Sequence, residues 1–114
     1  MPDTDTPTAW IDVCALDDVK TGEGLYDEHT DWDLAVLRPD EDEIFVMHNR
    51  CPHAGGSLAS GWMDEGCVVC PWHSWAFDLN SGECPEAPQF RVRTFPARVV
   101  DGRVEAQIAP PEDR

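Results

Sequence analysis

Short apolar runs separated by Gly, Pro and acidic clusters dominate this chain and predict strands rather than helices. Trp10 to Ala15 alternates apolar and polar residues and reads as a strand. Trp32 to Arg38 and Ile44 to His48 predict two more, joined by the acidic turn Pro39-Asp40-Glu41-Asp42-Glu43. Cys67 to Cys70 and Trp75 to Leu79 predict a further pair, followed by the turn signal Asn80-Ser81-Gly82 and a Pro-rich return loop from Glu83 to Pro88. Arg91 to Val100 and Arg103 to Ile108 predict a hairpin around Asp101-Gly102, a dipeptide suited to a type I′ turn. Pro96 marks an edge or a bulge in the first of these strands, and its imperfect alternation leaves the register open. The polar stretch Asp17 to Gly24 lacks the Lys-Ser/Thr ending of a phosphate loop and is read as a connection. The fold class expected is all-β, with disordered tails at 1–8 and 109–114 and no internal repeats.

Chemistry concentrates in two short signatures, Cys51-Pro52-His53 and Cys70-Pro71-Trp72-His73. Together they read C-x-H-x16-C-x2-H, giving two thiolates and two imidazoles on a pair of loops. Zinc accepts such a Cys2His2 set, although its sites more often keep the Cys pair and the His pair apart along the chain. Cys67-Val68-Val69-Cys70 is also a C-x2-C, open to a metal or a redox dithiol. Its apolar setting favours a buried strand role for Cys67. Cys14 and Cys84 lack ligand spacing and are read as small hydrophobes. His29 and His48 are read as structural or surface histidines. Among the five tryptophans, Trp62, Trp72 and Trp75 flank the two loops, where shielding of the site and plain core packing both fit; Trp10 and Trp32 are read as core.

The paired signatures resemble those of the Rieske ferredoxin family, over roughly residues 9–108. The resemblance implies a Rieske fold, an antiparallel β-sandwich-like base carrying an inserted cluster-binding part at about 49–90. It also implies one 2Fe-2S cluster, with Cys51 and Cys70 on one iron and His53 and His73 on the other, the iron that takes up the electron. Pro52 and Pro71 would stiffen the ligand loops, and Gly55 and Gly56 would let the first loop approach the cluster sulfides closely. High-potential Rieske proteins of respiratory complexes carry an extra Cys in each loop, paired as a disulfide. The corresponding positions here are Gly56 and Trp72. Those proteins also place Ser and Tyr hydroxyls where this chain has Trp75 and Phe77, with Ser74 one residue before the first. Fewer hydrogen bonds to sulfur leave the reduced cluster less stabilised, so the expected potential is low, about −150 mV.

Length and charge narrow the function. At 114 residues there is room for one domain and none for the second, catalytic iron domain of a Rieske oxygenase. The chain is therefore expected to carry electrons rather than act as an enzyme. The net charge is −15, and residues 1–43 hold fourteen acids against Lys20 and Arg38. Such a balance argues against nucleic acid. It suits a solvated surface, steering toward basic faces of redox partners, and a salt-adapted host. No apolar run approaches the length of a membrane span. The acidic N-terminus is unlike a signal peptide, and five Cys with two used as ligands form no disulfide framework. A cytoplasmic protein with no membrane contact is expected. The resemblance implies a flavoprotein reductase upstream and a terminal oxygenase downstream. The alternative is the small subunit of an NAD(P)H-dependent nitrite reductase, working with its large subunit, and a structural zinc or interaction module stands third. Replacing His53 or His73 by Cys should lower the midpoint potential, measured by voltammetry; an unchanged potential and spectrum would remove that residue from the ligand set.

Overall fold

The computed structural model describes residues 10–28, 33–50, 56–71 and 74–108. Among them are ten strands: β1 (Trp10–Ala15), β2 (Glu23–Glu28), β3 (Asp33–Asp40), β4 (Glu43–His48), β5 (Trp62–Asp64), β6 (Cys67–Val69), β7 (Ala76–Asp78), β8 (Thr94–Phe95), β9 (Ala97–Val100) and β10 (Arg103–Gln107). They form three antiparallel sheets, ordered β1-β10-β9, β2-β3-β4-β8 and β5-β6-β7. The third sheet is inserted between β4 and β8. The all-β class and the division into base and insert thus match the expectation. The expected tails at 1–8 and 109–114, and Trp32 and His29, lie outside the described residues.

The run Leu34-Ala35-Val36-Leu37 in β3 explains how the sheets stack. Neighbouring side chains of a strand point to opposite faces, yet all four are buried. Leu34 and Val36 enter one core with Val46, Phe95, Cys14, Val104 and Ala106, which joins the β3 sheet to the β1-β10-β9 sheet. Ala35 and Leu37 enter a second core with Met47, Leu58, Val68, Cys70 and Phe77, on the side of the inserted sheet. A strand covered on both faces loses its polar alternation, which is why this segment reads as a continuous apolar run.

The expected strand Arg91–Val100 is divided by Pro96. Thr94 and Phe95 pair with Met47 and Val46 of β4, whereas Ala97 to Val100 pair with β10. Proline has no N–H to give the ladder. Its carbonyl accepts a hydrogen bond from Gln107 N at 3.0 Å, and the chain changes sheets at this point. Two strands escaped the sequence pattern. β2 (Glu-Gly-Leu-Tyr-Asp-Glu) carries three acids and a glycine, and β5 has only three residues. Gly24 is there for close packing: a Cβ on it would lie 2.8 Å from Leu37 Cδ2 and 2.9 Å from the Ala59 carbonyl oxygen. The Asp101-Gly102 hairpin is as expected, with φ of 51° and 77°, and Glu65-Gly66 makes a second turn of the same kind at 52° and 81°. At the Asn80-Ser81-Gly82 turn the Asp78 carboxylate accepts hydrogen bonds from Asn80 N (2.8 Å) and Ser81 N (2.9 Å).

Cys14 and Cys84 are buried, as expected of small hydrophobes. Burial, reinforced by nearby acids of which Asp27 acts most strongly, pushes the Cys14 thiol up from 9.0 to about 11. A thiol raised in the folded state favours the fold while it stays protonated. That contribution is complete below about pH 9 and is lost as pH rises toward about 11. Stability should therefore fall across this alkaline window, and Cys14→Ala should flatten the fall in melting curves taken from pH 8 to 11.

Candidate metal centre

The first ligand loop leaves β4 through Asn49, which is only 7% exposed and is the one buried polar residue among those described. Its main chain joins Asp33 O (N donor, 2.7 Å) and Leu58 N (O acceptor, 2.8 Å). Its side chain accepts a hydrogen bond from Ala59 N at 2.7 Å and donates one to Ser57 Oγ at 2.9 Å. Arg50 and Ser57 then form an isolated antiparallel bridge. Both ends of the segment holding Cys51 and His53 are therefore clamped together, with Leu58 rooted in the core beneath them.

The second loop is closed by a hydrogen bond from Cys70 N to Trp75 O, 2.7 Å. Cys70 is fully buried in the same core as Leu58, Val68 and Phe77. The two loop bases thus rise from one apolar floor. Ser74 takes a left-handed φ of 59° as the chain turns back. Trp75 meets Phe90 edge to face, with centroids 5.1 Å apart and planes at 88°. Phe90 is held by the Pro-rich return loop, where Ala87 N donates to Cys84 O, Phe90 N to Ala87 O and Cys84 N to Phe90 O.

Of the four expected ligands, Cys70 is described; Cys51, His53 and His73 lie outside the described residues. What the structure does test is the rival use of Cys67. That residue begins β6, opposite Asp78, and Cys70 follows three residues on. Three residues of strand span about 10 Å, beyond the roughly 7 Å that a disulfide tolerates between Cα atoms. Burial, with Asp78 beside it, also raises the Cys67 thiol above its ordinary value. Cys67-x2-Cys70 is accordingly not a dithiol or a metal clip, and Cys70 is left to the second loop. Among the described residues no group of three or more His, Cys, Asp or Glu forms another metal site.

The tryptophans divide. Trp62 is 48% exposed rather than packed in a core. Trp75 is half-buried on Phe90, Trp10 lies half-buried under the Arg98 guanidinium at 4.1 Å, and Trp72 lies outside the described residues. Phe77, at the place of the family's Tyr, is fully buried and offers no hydroxyl. Sequence reasoning missed Asn49. A polar residue ending an apolar strand just before Arg-Cys-Pro-His was the available signal.

Comparison with known proteins agrees with this architecture. The Rieske [2Fe-2S] domain family matches residues 9–96. The ferredoxin subunit of anthranilate 1,2-dioxygenase from Burkholderia cepacia is 35% identical over 104 residues, covering 90% of this chain and 95% of that protein. The ferredoxin of Sphingomonas yanoikuyae B1 superposes with a TM-score of 0.78 at 30% identity, covering 89% of this chain and 100% of that one. A putative NADH-dependent nitrite reductase small subunit from Mycobacterium tuberculosis gives 0.81 at 29% identity, covering 91% and 99%. Other relatives are far longer: the chain spans 20% of a cholesterol 7-desaturase from Hemicentrotus pulcherrimus.

The chain belongs to the Rieske [2Fe-2S] domain family, and its cofactor is one Rieske-type 2Fe-2S cluster. The donor chemistry fits: a buried, apolar-seated thiol at Cys70 is a soft ligand suited to iron bound to sulfide. Asn49→Ala would leave Ala59 N unpaired at the base of the first loop and leave the Ser57 hydroxyl only Ser60 Oγ. It should cost about 2 kcal/mol of stability, seen as a lowered melting temperature, and hasten bleaching of the cluster absorbance.

Proposed function

We propose that this protein is a Rieske-type ferredoxin, a one-electron carrier between a flavoprotein reductase and a terminal oxygenase, and not itself an enzyme. Its ligands are Cys51 and Cys70 on one iron and His53 and His73 on the other, within a single domain at 9–108. The observation that carries the reading is the pair of loops, one Cys-x-His and one Cys-x2-His, set over a shared core floor and each tied at its base. When bound, the cluster supplies a one-electron couple with little change of shape. The chain's contribution is to hold the ligands rigidly and to set the potential. Trp75 and Phe77 lack the hydroxyls that would hydrogen-bond to sulfur, which supports a potential near the low end of the Rieske range, about −150 mV.

Rieske ferredoxins are electron carriers within oxidoreductase systems. The near-complete coverage of a dioxygenase ferredoxin subunit supports an oxygenase system as the destination. The similarity to a nitrite reductase small subunit, with the higher TM-score, supports the second reading, in which the partner is a nitrite reductase large subunit. No helix among the described residues is long and apolar enough to cross a membrane, and the cytoplasm is the compartment proposed. Anaerobically purified protein reduced with dithionite should contain two irons per chain and give a rhombic Rieske-type EPR signal. One zinc with no visible absorbance, persisting after iron–sulfur reconstitution, would overturn the carrier role. Turnover with a purified oxygenase or nitrite reductase large subunit separates the two destinations.

A further inference from the structure

We propose that the seam between β2 and β5, anchored by Tyr26 and Trp62 and rimmed by Glu28, Asp33 and Asp64, docks a basic redox partner protein. The proposal rests on the electron-carrier reading and extends it to the surface that selects the partner.

Tyr26 and Trp62 are the two exposed aromatic residues among those described, each 48% exposed. They belong to different sheets but to one seam. Both strands are sheet edges, β2 of the four-stranded sheet and β5 of the inserted one. Gly24 lies two residues before Tyr26 and so faces the same side of β2. A Cβ on Gly24 would meet Ala59, and Trp62 follows Ala59 by three residues. β2 and β5 are in direct contact along this line.

The seam also lies at the metal end of the molecule. Trp62 pairs with Val69, the residue before Cys70. The Tyr26 end of β2 pairs with the start of β3, where Asp33 O accepts the Asn49 N–H at the base of the first loop. Large amphipathic aromatics with a polar rim are what a small docking surface uses as anchors.

Charge decides the occupant. Glu28 shares a face of β2 with Tyr26, Asp64 shares a face of β5 with Trp62, and neither strand holds a Lys or Arg. Asp33 pairs with Glu28 across β2 and β3, and Ala35, two residues on, pairs with Tyr26, which places another carboxylate on the aromatic's side of the sheet. A second copy of this chain would set like charges face to face across the seam, at a net charge of −15 each. A partner with a basic face gains steering and complementarity instead, and transient redox encounters need only a small interface.

Mammalian cytochrome c, a basic one-electron acceptor, is the probe. Dithionite-reduced holoprotein should reduce it with a second-order rate that falls steeply as salt is added. Tyr26→Ala with Trp62→Ala, and separately Glu28→Gln with Asp64→Asn, should each slow that rate at least about tenfold while visible spectrum and midpoint potential stay unchanged. The controls are Val99→Ala with Val100→Ala, an exposed apolar pair on β9, and Glu41→Gln with Asp42→Asn in the β3–β4 turn. These should change the rate less than twofold.

Equal slowing by the acidic control pair, or none by the seam variants, would overturn the proposal. On the unmodified holoprotein, carbodiimide cross-linking should join cytochrome c lysines to Glu28, Asp33 or Asp64. Links confined to Asp40–Glu43 would count against the seam. A dimer in sedimentation that Trp62→Ala dissolves would assign the seam to a second copy. Protein with no reducible cluster would instead defeat the carrier reading on which the docking face rests.

Discussion

Four consecutive buried residues, Leu34 to Leu37, hold the molecule together by facing two ways. One pair closes the base against the β1-β10-β9 sheet, and the other lies under the inserted sheet and both ligand loops. Full burial of a side chain such as Leu or Val contributes about 1.5–3 kcal/mol. Each core of this small domain therefore depends on a few residues of one strand. Any shift of β3 by one residue would exchange the two faces and dislodge both cores together. The floor on which both loop bases stand is in this sense set by β3.

Above that strand the loops depend on hydrogen bonds more than on apolar contact. Asn49 uses both main-chain and side-chain groups to join β3, β4 and the Leu58–Ser60 turn. A buried amide in this position is stabilising only because its partners are met, and the low local dielectric makes each bond stronger and each vacancy costlier. The second loop is simpler: one main-chain hydrogen bond from Cys70 and one aromatic contact from Trp75 to Phe90. The return loop, spliced between β7 and β8, brings Phe90 there, so a segment remote in sequence holds Trp75 in place.

Much of this was legible in the sequence because the local signals and the fold agreed. β1, β3 and β4 show strand periodicity or continuous apolarity, and Asp101-Gly102 has the turn chemistry its positive φ values demand. β2 was hidden because it is an edge strand whose Glu23 and Glu28 face water and whose glycine is needed for contact with Ala59. Pro96 was visible as an irregularity, but a change of sheets is a long-range fact that no local pattern encodes. In the site, residue types and spacing pointed to the candidate donors, while the clamp at Asn49 depends on partners eight to sixteen residues away on either side. Exposure of Trp62 was likewise unreadable, since a tryptophan beside an apolar strand looks the same whether it faces a core or water.

The charge distribution ties the surface to the redox centre. Fourteen of the acids lie in residues 1–43, whereas Arg91, Arg93, Arg98 and Arg103 are gathered in and around the last strands, where three of them pair with Glu83, Glu105 and Asp12. Those pairs are exposed and worth little individually. A negative field of this kind opposes the addition of an electron, so it acts in the same direction as the absent hydroxyls at Trp75 and Phe77. The same field reaches outward over about a Debye length, roughly 10 Å at 0.1 M salt, and favours approach by a positively charged molecule. On the proposed carrier reading, one feature of composition does two things: it makes the reduced protein a stronger donor, and it draws a basic acceptor toward the metal end. The two effects share an origin in the same carboxylates and must weaken together as ionic strength rises, whereas the contribution of the missing hydroxyls, being short-ranged, must not.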